Sequence, residues 1–307
     1  MVRELVIGAR GSALAVWQAE WVRERLLALG HRLRIRIEKI RTEGDMRDAA
    51  PLWQIGGTGL FVKEVERALL DGRIDVAVHS MKDLPSTGDP ALVVAAVPER
   101  DDPRDVLVSR HGLPLAALPE GARIATSSSR RRAQLLAHRR DLRIVPLRGN
   151  VDTRLRKSES EGLDGVVLAA AGLARLGHLN RVTEYLPLDV CLPAPGQGAL
   201  GVQARAADGE LLDLLAGLEH RPSRAAVEAE RAFMRFLGGG CQVPLAALCS
   251  PLGGGLVIDA MVASPDGLRL VRVREFGGVD GPVAVGERAA ERLLALGGAD
   301  LLEEARG

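Results

Sequence analysis

Over its first 200 residues the chain alternates short apolar runs with helix-length segments, and this alternation constrains its fold more than any other feature. Leu5-Val6-Ile7 has the character of a buried strand. The next segment, from about Ala13 to Leu29, reads as a helix capped by Ser12 and stopped by Gly30. Residues 33–40 set Leu33, Ile35 and Ile37 against Arg34, Arg36 and Glu38, the period-two pattern of a strand with one buried face. Gly56-Gly57-Thr58-Gly59 leads into a helix predicted over about 60–70, followed by a strand over 74–78. Strands at 123–125, 142–147 and 165–168 each meet a helix, starting near Ser128, Val151 and Ala169. Repetition of strand and helix in this order buries a sheet beneath helices, the signature of an α/β architecture.

Two stretches interrupt the pattern. Val97-Pro98-Glu99-Arg100-Asp101-Asp102-Pro103 is charged and proline-bearing, and Leu192-Pro193-Ala194-Pro195-Gly196-Gln197-Gly198 reads as a second, hinge-like linker. Together they bracket a second α/β domain, with a cleft expected between it and the first. Beyond residue 220 the grammar changes. A helix over about 222–237 carries apolar residues at Ala226, Ala229, Phe233 and Phe236, with Pro222 in its first turn. Strands follow at about 245–249, 256–263 and 268–276, the last two joined by the turn Ser264-Pro265-Asp266-Gly267, then helices over about 282–296 and 299–305. The expected fold class is therefore α/β: two α/β domains around a cleft plus a small C-terminal α+β domain.

Composition narrows the function. Hydrophobic residues make up 47% of the chain but aromatics only 3%, so the cores must be built from Ala, Leu and Val. Of 41 basic residues four are lysine and the other 37 arginine, yet the formal net charge is only +1, which argues against bulk electrostatic binding to nucleic acid. Three cysteines (Cys191, Cys241, Cys249) are too few and too scattered for a disulfide framework, and no spacing suggests a metal. The apolar run 166–174 is too short to span a membrane, and Met1-Val2-Arg3-Glu4 does not open a signal peptide. A soluble, cytoplasmic protein is expected.

Four strand-to-helix junctions carry unusual polar content: Gly8-Ala9-Arg10-Gly11-Ser12, Gly56-Gly57-Thr58-Gly59, Thr126-Ser127-Ser128-Ser129-Arg130-Arg131-Arg132, and Leu147-Arg148-Gly149-Asn150-Val151-Asp152-Thr153-Arg154. Open N–H groups and the positive end of a helix dipole favour anions, and a planar guanidinium matches a carboxylate with two bonds. Taken singly, each junction is also explained by N-capping with solvated arginines, and Arg139 and Arg140 are read as solvent-facing. Taken together they suggest a ligand with several separated negative groups, either a polycarboxylate or a phosphate chain. In Val78-His79-Ser80-Met81-Lys82-Asp83-Leu84-Pro85, Lys82 and Asp83 follow a buried strand, at the end where open α/β sheets gather ligands. Asp83 suits stabilisation of a cation and proton shuttling, with a surface salt bridge as the plain alternative; His79 reads as structural.

Cys241 ends a glycine run, Gly238-Gly239-Gly240-Cys241, just past a helix whose dipole disfavours a thiolate there. No histidine is close in sequence, so a Cys–His nucleophile has little support, whereas a stable covalent attachment needs no strongly activated thiol. Cys191 and Cys249 read as buried structural thiols.

Loop, arginine junctions and Lys-Asp segment together resemble one family, porphobilinogen deaminase, also called hydroxymethylbilane synthase. The resemblance is carried by Ala9-Arg10-Gly11-Ser12-Ala13-Leu14-Ala15, Gly59-Leu60-Phe61-Val62-Lys63-Glu64, Asp75-Val76-Ala77-Val78-His79-Ser80-Met81-Lys82-Asp83, Arg100-Asp101-Asp102-Pro103-Arg104-Asp105, Ala125-Thr126-Ser127-Ser128, Leu147-Arg148-Gly149-Asn150-Val151, Pro195-Gly196-Gln197-Gly198-Ala199 and Gly239-Gly240-Cys241-Gln242-Val243-Pro244. It implies two α/β domains of the type II periplasmic-binding-protein kind, over 1–99 with 198–218 and over 100–197, and a third domain over 219–307. It also implies a monomeric transferase of tetrapyrrole (porphyrin, haem) biosynthesis, with porphobilinogen as substrate and no nucleic-acid or membrane partner. Cys241 would carry a dipyrromethane cofactor through a thioether, on which four porphobilinogens are condensed with loss of ammonia before hydrolysis releases hydroxymethylbilane.

The resemblance also assigns residues. Arg10, Arg130, Arg131, Arg148 and Arg154 match carboxylate-binding arginines, while Ser12, Thr126, Ser127, Ser128 and Lys82 match cofactor contacts. Asp83 matches the catalytic carboxylate facing the pyrrole N–H groups, and Arg175 and Gln197 match positions near the cleft. Thr58 stands where many relatives carry lysine, so a cationic contribution from that loop is in doubt. Two other classes compete. A non-catalytic carboxylate-binding protein of the periplasmic type fits the duplication and the anion junctions but not the Cys241 loop. A nucleic-acid or nucleotide binder fits the arginines but not the charge balance or the lack of a basic aromatic platform.

Overall fold

The computed structural model describes residues 2–41, 62–238 and 243–306. They fall into two compact units, 1–101 with 199–224 and 102–198 with 225–307.

In the first unit, β1 (Arg3–Arg10) runs into α1 (Ala13–Ala28), β2 (Leu33–Ile40), α2 (Lys63–Leu70), β3 (Val76–Ser80) and β4 (Leu92–Ala96). Helix α1 buries Ala15, Gln18, Ala19, Val22 and Leu26, the spacing of a single helical stripe, and Ser12 caps it as the sequence predicts. With β10 (Leu200–Arg205), the sheet order is β2-β1-β3-β10-β4. Strands β2 and β3 lie parallel to β1, in registers such as Ile7↔Ile37 and Ile7↔Val76. Strand β10 enters antiparallel between β3 and β4, pairing Val202 with Val78, and α6 (Gly209–Leu215) follows it. The core of this unit joins Leu5, Ile7 and Ala9 of β1 to Val76, Val78, Val202 and the inner stripe of α1.

The second unit contains β5 (Asp105–Ser109), β6 (Arg123–Ala125), α3 (Ser129–His138), β7 (Arg143–Val145), α4 (Val151–Ser160), β8 (Gly165–Ala169), α5 (Ala170–Arg175) and β9 (Glu184–Tyr185). Its sheet order is β7-β6-β8-β5-β9, with β6 parallel to β7 and β8 and β5 antiparallel to β8. The two sheets therefore share one plan: three parallel strands, then an antiparallel fourth from a distant part of the sequence, then an edge strand. Neither antiparallel strand, β5 nor β10, is marked by the sequence pattern, because each directly follows a proline-rich stretch rather than a helix.

The C-terminal part of the second unit is a small α+β domain. Helix α7 (Arg221–Phe236) precedes the meander β11 (Leu245–Leu252), β12 (Gly255–Ala263) and β13 (Leu270–Gly278), then α8 (Pro282–Leu293) and α9 (Ala299–Arg306). Period-two alternation divides these strands between two faces. Leu245, Ala247, Cys249, Ile258, Ala260 and Val262 pack with Phe233, Val285, Ala289 and Leu293 of the helices. Ala246, Leu248, Met261 and Ala263 pack instead with Ala133 of α3 and with Leu192. The predicted turn 264–267 joins β12 to β13, and Gly267 takes a φ of 70° there. A side chain at Gly267 would meet the carbonyl of Ala133 at 2.2 Å, which explains the glycine.

Candidate active site

In each α/β unit, most of the predicted site residues lie at or just past the C-terminal ends of the parallel strands; Arg175 instead ends α5 and Gln197 precedes β10. In the first unit Arg10 ends β1, and Ser12 Oγ accepts from Ala15 N at 3.3 Å. Strand β3 ends at Ser80 and turns through a single 3-10 turn, Met81–Asp83. Buried Met81 and Leu84 fasten that turn inward, which leaves Lys82 half-buried and Asp83 exposed. Arg10, Ser12, Gln18, His79, Ser80 and Asp83 all line one small pocket. The hydroxyl of Ser80 accepts from Gln18 Nε2 at 2.9 Å, fixing the β3 end of the pocket to α1.

His79 is buried as the sequence suggests. Its Nε2 lies 3.1 Å from Gln203 Oε1, while Gln203 Nε2 donates to Glu66 Oε1 at 2.9 Å. The glutamate thereby orients the amide, and the amide oxygen selects the Nε2–H tautomer of the imidazole. Burial is the main force that pushes His79 down to about 4; the Gln203 bond opposes it and the charge of Arg10 adds to it. His79 is therefore a neutral wall of the pocket at neutral pH.

In the second unit, β6 ends at Ala125 and the hydroxyl run follows. Thr126 Oγ1 accepts from Ser128 N at 3.2 Å, and Ser128 Oγ caps α3 by accepting from Arg131 N at 3.4 Å. Ser127 Oγ both donates to Leu147 O at 2.9 Å and accepts from Leu147 N at 3.0 Å, binding the β6 junction to the β7 junction. There, half-buried Arg148 precedes Gly149, whose φ of 115° turns the chain into α4. Asn150 caps α4 through Thr153 N at 2.9 Å, and Arg154 Nε donates to Gly149 O at 2.8 Å. N-capping is thus present at all three of these junctions, alongside the cations. The fourth junction, residues 56–59 with Thr58, lies outside the described residues, as do Cys241 and residues 239–242.

Arg130 and Arg131 turn inward, each only 5% exposed. Both bind Asp105, which is fully buried: Arg130 Nη1 at 2.7 Å, and Arg131 Nε and Nη2 at 3.1 and 2.6 Å. Gln197 Nε2 joins the same carboxylate at 2.9 Å, and the Cys191 thiol donates to it at 3.3 Å. Burial alone would raise Asp105, but the two guanidinium charges and their hydrogen bonds outweigh it and hold the carboxyl far below the usual range. Burial and the negative charge of Asp105 push Cys191 up to about 12, so this thiol stays protonated. Cys249 is buried too, at 2% exposure.

One expectation needs correction and one needs detail. The stretch 192–198 ends at the boundary between the two units, where the sequence places a linker, but it is packed: all of it but Ala194 is buried. Its backbone is held mainly by side chains, because buried N–H and C=O groups outside a ladder must find partners elsewhere. Gln134 accepts from Leu192 N at 2.7 Å and donates to Leu192 O at 3.0 Å; Glu230 accepts from Gly196 N at 2.6 Å; Arg175 donates to Gly198 O at 2.7 Å. Arg139, expected to face solvent, instead donates from Nη1 to Leu115 O and Leu118 O at 2.9 Å each and pairs with Asp141, tying down a loop. Arg140 is exposed, with its guanidinium on the Gly267 carbonyl at 2.9 Å. Sequence reasoning passed over Asp105, Gln134 and Glu230. Asp105 stood inside the Arg100–Asp105 motif, but nothing local marks its partners.

The family model for porphobilinogen deaminase, dipyromethane cofactor binding domain, matches residues 5–213, and that for the porphobilinogen deaminase C-terminal domain matches residues 224–295. The chain belongs to the porphobilinogen deaminase family. It is similar to porphobilinogen deaminase from Pelotomaculum thermopropionicum, with 53% identity over 100% of this chain and 98% of that one. The enzyme of the same name from Desulforudis audaxviator is 52% identical over 100% of this chain and 99% of its own. Among solved structures, the periplasmic VFT2 domain of Bordetella pertussis BvgS is similar at a TM-score of 0.42, with 15% identity over 70% of this chain and 86% of that one.

The family's cofactor is a dipyrromethane, and the residues described here fit such a group. Each pyrrole carries two carboxylates and one N–H, so its site needs cations, hydroxyl donors and an acceptor. In the first unit the strand ends supply Arg10, Lys82, the Ser12 hydroxyl and the Asp83 carboxylate; in the second, taken by itself, they supply Arg148, Arg154 and the 126–128 hydroxyls. Among the described residues no helix is long and apolar enough to cross a membrane, and no cluster of side chains could hold a metal ion.

Proposed function

We propose that this chain condenses four porphobilinogen molecules head to tail on a dipyrromethane held by Cys241. Ammonia is released at each addition, and hydrolysis then frees hydroxymethylbilane. The observation that carries this reading is the pair of family matches covering residues 5–213 and 224–295, supported by the collection of cations and hydroxyls at the strand ends. When bound, the dipyrromethane supplies the nucleophilic pyrrole carbon from which the chain grows.

The chain's own residues have distinct tasks in this proposal. Arg10, Arg148, Arg154 and Lys82 neutralise acetate and propionate groups, and Arg175 and Gln197 act close by. Ser12, Thr126 and Ser128 give hydrogen bonds that orient the rings, while Ser127, whose proton goes to Leu147 O, takes part as an acceptor. Arg130 and Arg131 supply a positive field from just beneath the hydroxyl run. The Asp83 carboxylate stabilises the positive charge that develops on the substrate pyrrole as its amine departs, and it moves the proton lost when the new bond forms. His79, neutral and fixed, keeps one wall of that pocket uncharged. The proposal takes 1–99 with 198–218, 100–197 and 219–307 as its three domains, supported by three separate sheets with their own cores. A cytoplasmic monomer accords with this reading.

Intact mass tests it directly. The purified chain should carry an adduct of two linked pyrroles, mapped by peptide digestion to Cys241, and Cys241→Ser should lack both adduct and activity. An active protein with the unmodified mass would overturn the assignment.

A further inference from the structure

We infer that Asp105 is a positioning residue for this site, holding Arg130, Arg131 and Gln197 as one unit. The inference rests on the proposed function and assigns a task to a side chain outside the resemblance-based set. The geometry is specific. One carboxylate oxygen, Oδ1, takes Arg131 Nε at 3.1 Å, Arg131 Nη2 at 2.6 Å and Gln197 Nε2 at 2.9 Å. The other, Oδ2, takes Arg130 Nη1 at 2.7 Å and the Cys191 thiol at 3.3 Å. Arg131 Nη1 is bound to Val167 O at 3.0 Å, so its guanidinium plane is set from every nitrogen. The bonds of Arg130 to Asp105, Leu192 O and Cys191 all run through Nη1, which sets the direction of the rest of its fork.

Charge gives this arrangement a purpose. Two guanidinium groups share one carboxylate, and the thiol stays protonated, so Arg130, Arg131, Asp105 and Cys191 together carry one surplus positive charge. Arg130 and Arg131 lie in the first turn of α3, directly after the 126–128 hydroxyl run, where the helix dipole adds to the same sign. A buried surplus charge is costly unless an anion answers it. Asp105 thus does two things at once: it makes the burial of two arginines tolerable, and it leaves a directed positive field for a carboxylate of the pyrrole chain. Through Gln197 it also fixes the 192–198 stretch to the same point.

Two variants test this, each compared with the parent by intact mass, thermal melting and steady-state kinetics on porphobilinogen. Asp105→Asn keeps the shape but adds an N–H₂ against the guanidinium donors; Asp105→Glu keeps the charge but moves it by one methylene. For either variant, kcat counted per adduct-bearing molecule should fall tenfold or more, with a change in KM of threefold or less. Kinetics within twofold of the parent in the adduct-bearing fraction, with only the melting temperature lowered, would overturn the inference. Failure of both variants to fold at reduced temperature would assign the carboxylate to folding alone, and would overturn it too. A parent protein without the adduct would instead sink the underlying function, so the two failures are distinguishable.

Discussion

Asp83 and Arg10 line one pocket at the ends of β1 and β3, with neutral His79 behind them. Asp83→Asn removes the charge but keeps the shape, so turnover should fall by at least a hundredfold while intact mass still shows the assembled adduct. Wild-type-like turnover would remove Asp83 from the chemistry. His79 gives a pH signature of its own. Between its ordinary 6.5 and about 4, an unfolded chain binds a proton at this position and the folded chain does not. Stability is therefore lost as pH falls through that window, by up to about 3 kcal/mol, and the loss is complete near pH 4. Urea unfolding of the parent and His79→Asn from pH 7 to 4 should show the parent's curve falling more steeply; a pH-independent difference would refute the linkage. Lys82, Asp83 and the arginine junctions were legible in sequence because each lies within a few residues of the strand end that presents it. Asp105 was not, since its partners lie 25, 26, 86 and 92 residues away.

At the scale of elements, periodicity did most of the work. Helix α1, strand β2 and the C-terminal meander form where alternation places them, and Ser12, Ser128 and Asn150 cap the helices that follow them. What periodicity does not encode is how closely elements approach. Helix α8 crosses α7 at Gly286, where an added Cβ would sit 2.0 Å from Ala229 O and 2.8 Å from Phe233 N. These are backbone atoms and cannot rotate away. Gly286→Ala should therefore destabilise the C-terminal domain by about 1–3 kcal/mol, despite the better helix propensity of alanine. Thermal or urea unfolding checks it, and an equal or higher stability would show that the helices separate easily. The 192–198 stretch shows the same gap: prolines and glycines mark a linker at the unit boundary, and do not tell that side chains of α3, α5 and α7 bind it.

For the whole molecule, the repeated sheet plan explains why most of the predicted site residues in the α/β units come from equivalent strand ends in each. The sequence by itself determined the α/β class, the N-capped junctions with their hydroxyls and cations, the Lys82-Asp83 turn, the separate character of the last 90 or so residues, and the family. Each of these depends on residues near one another along the chain, where backbone geometry and periodicity leave little choice. Only the tertiary structure decided that β5 and β10 run antiparallel inside otherwise parallel sheets, that Arg130 and Arg131 turn inward onto Asp105, and that the 192–198 linker is buried and pinned by side chains. Those outcomes depend on burial. A charged or backbone polar group taken out of water must find its partner wherever the fold brings one, and distance along the chain does not say where that will be.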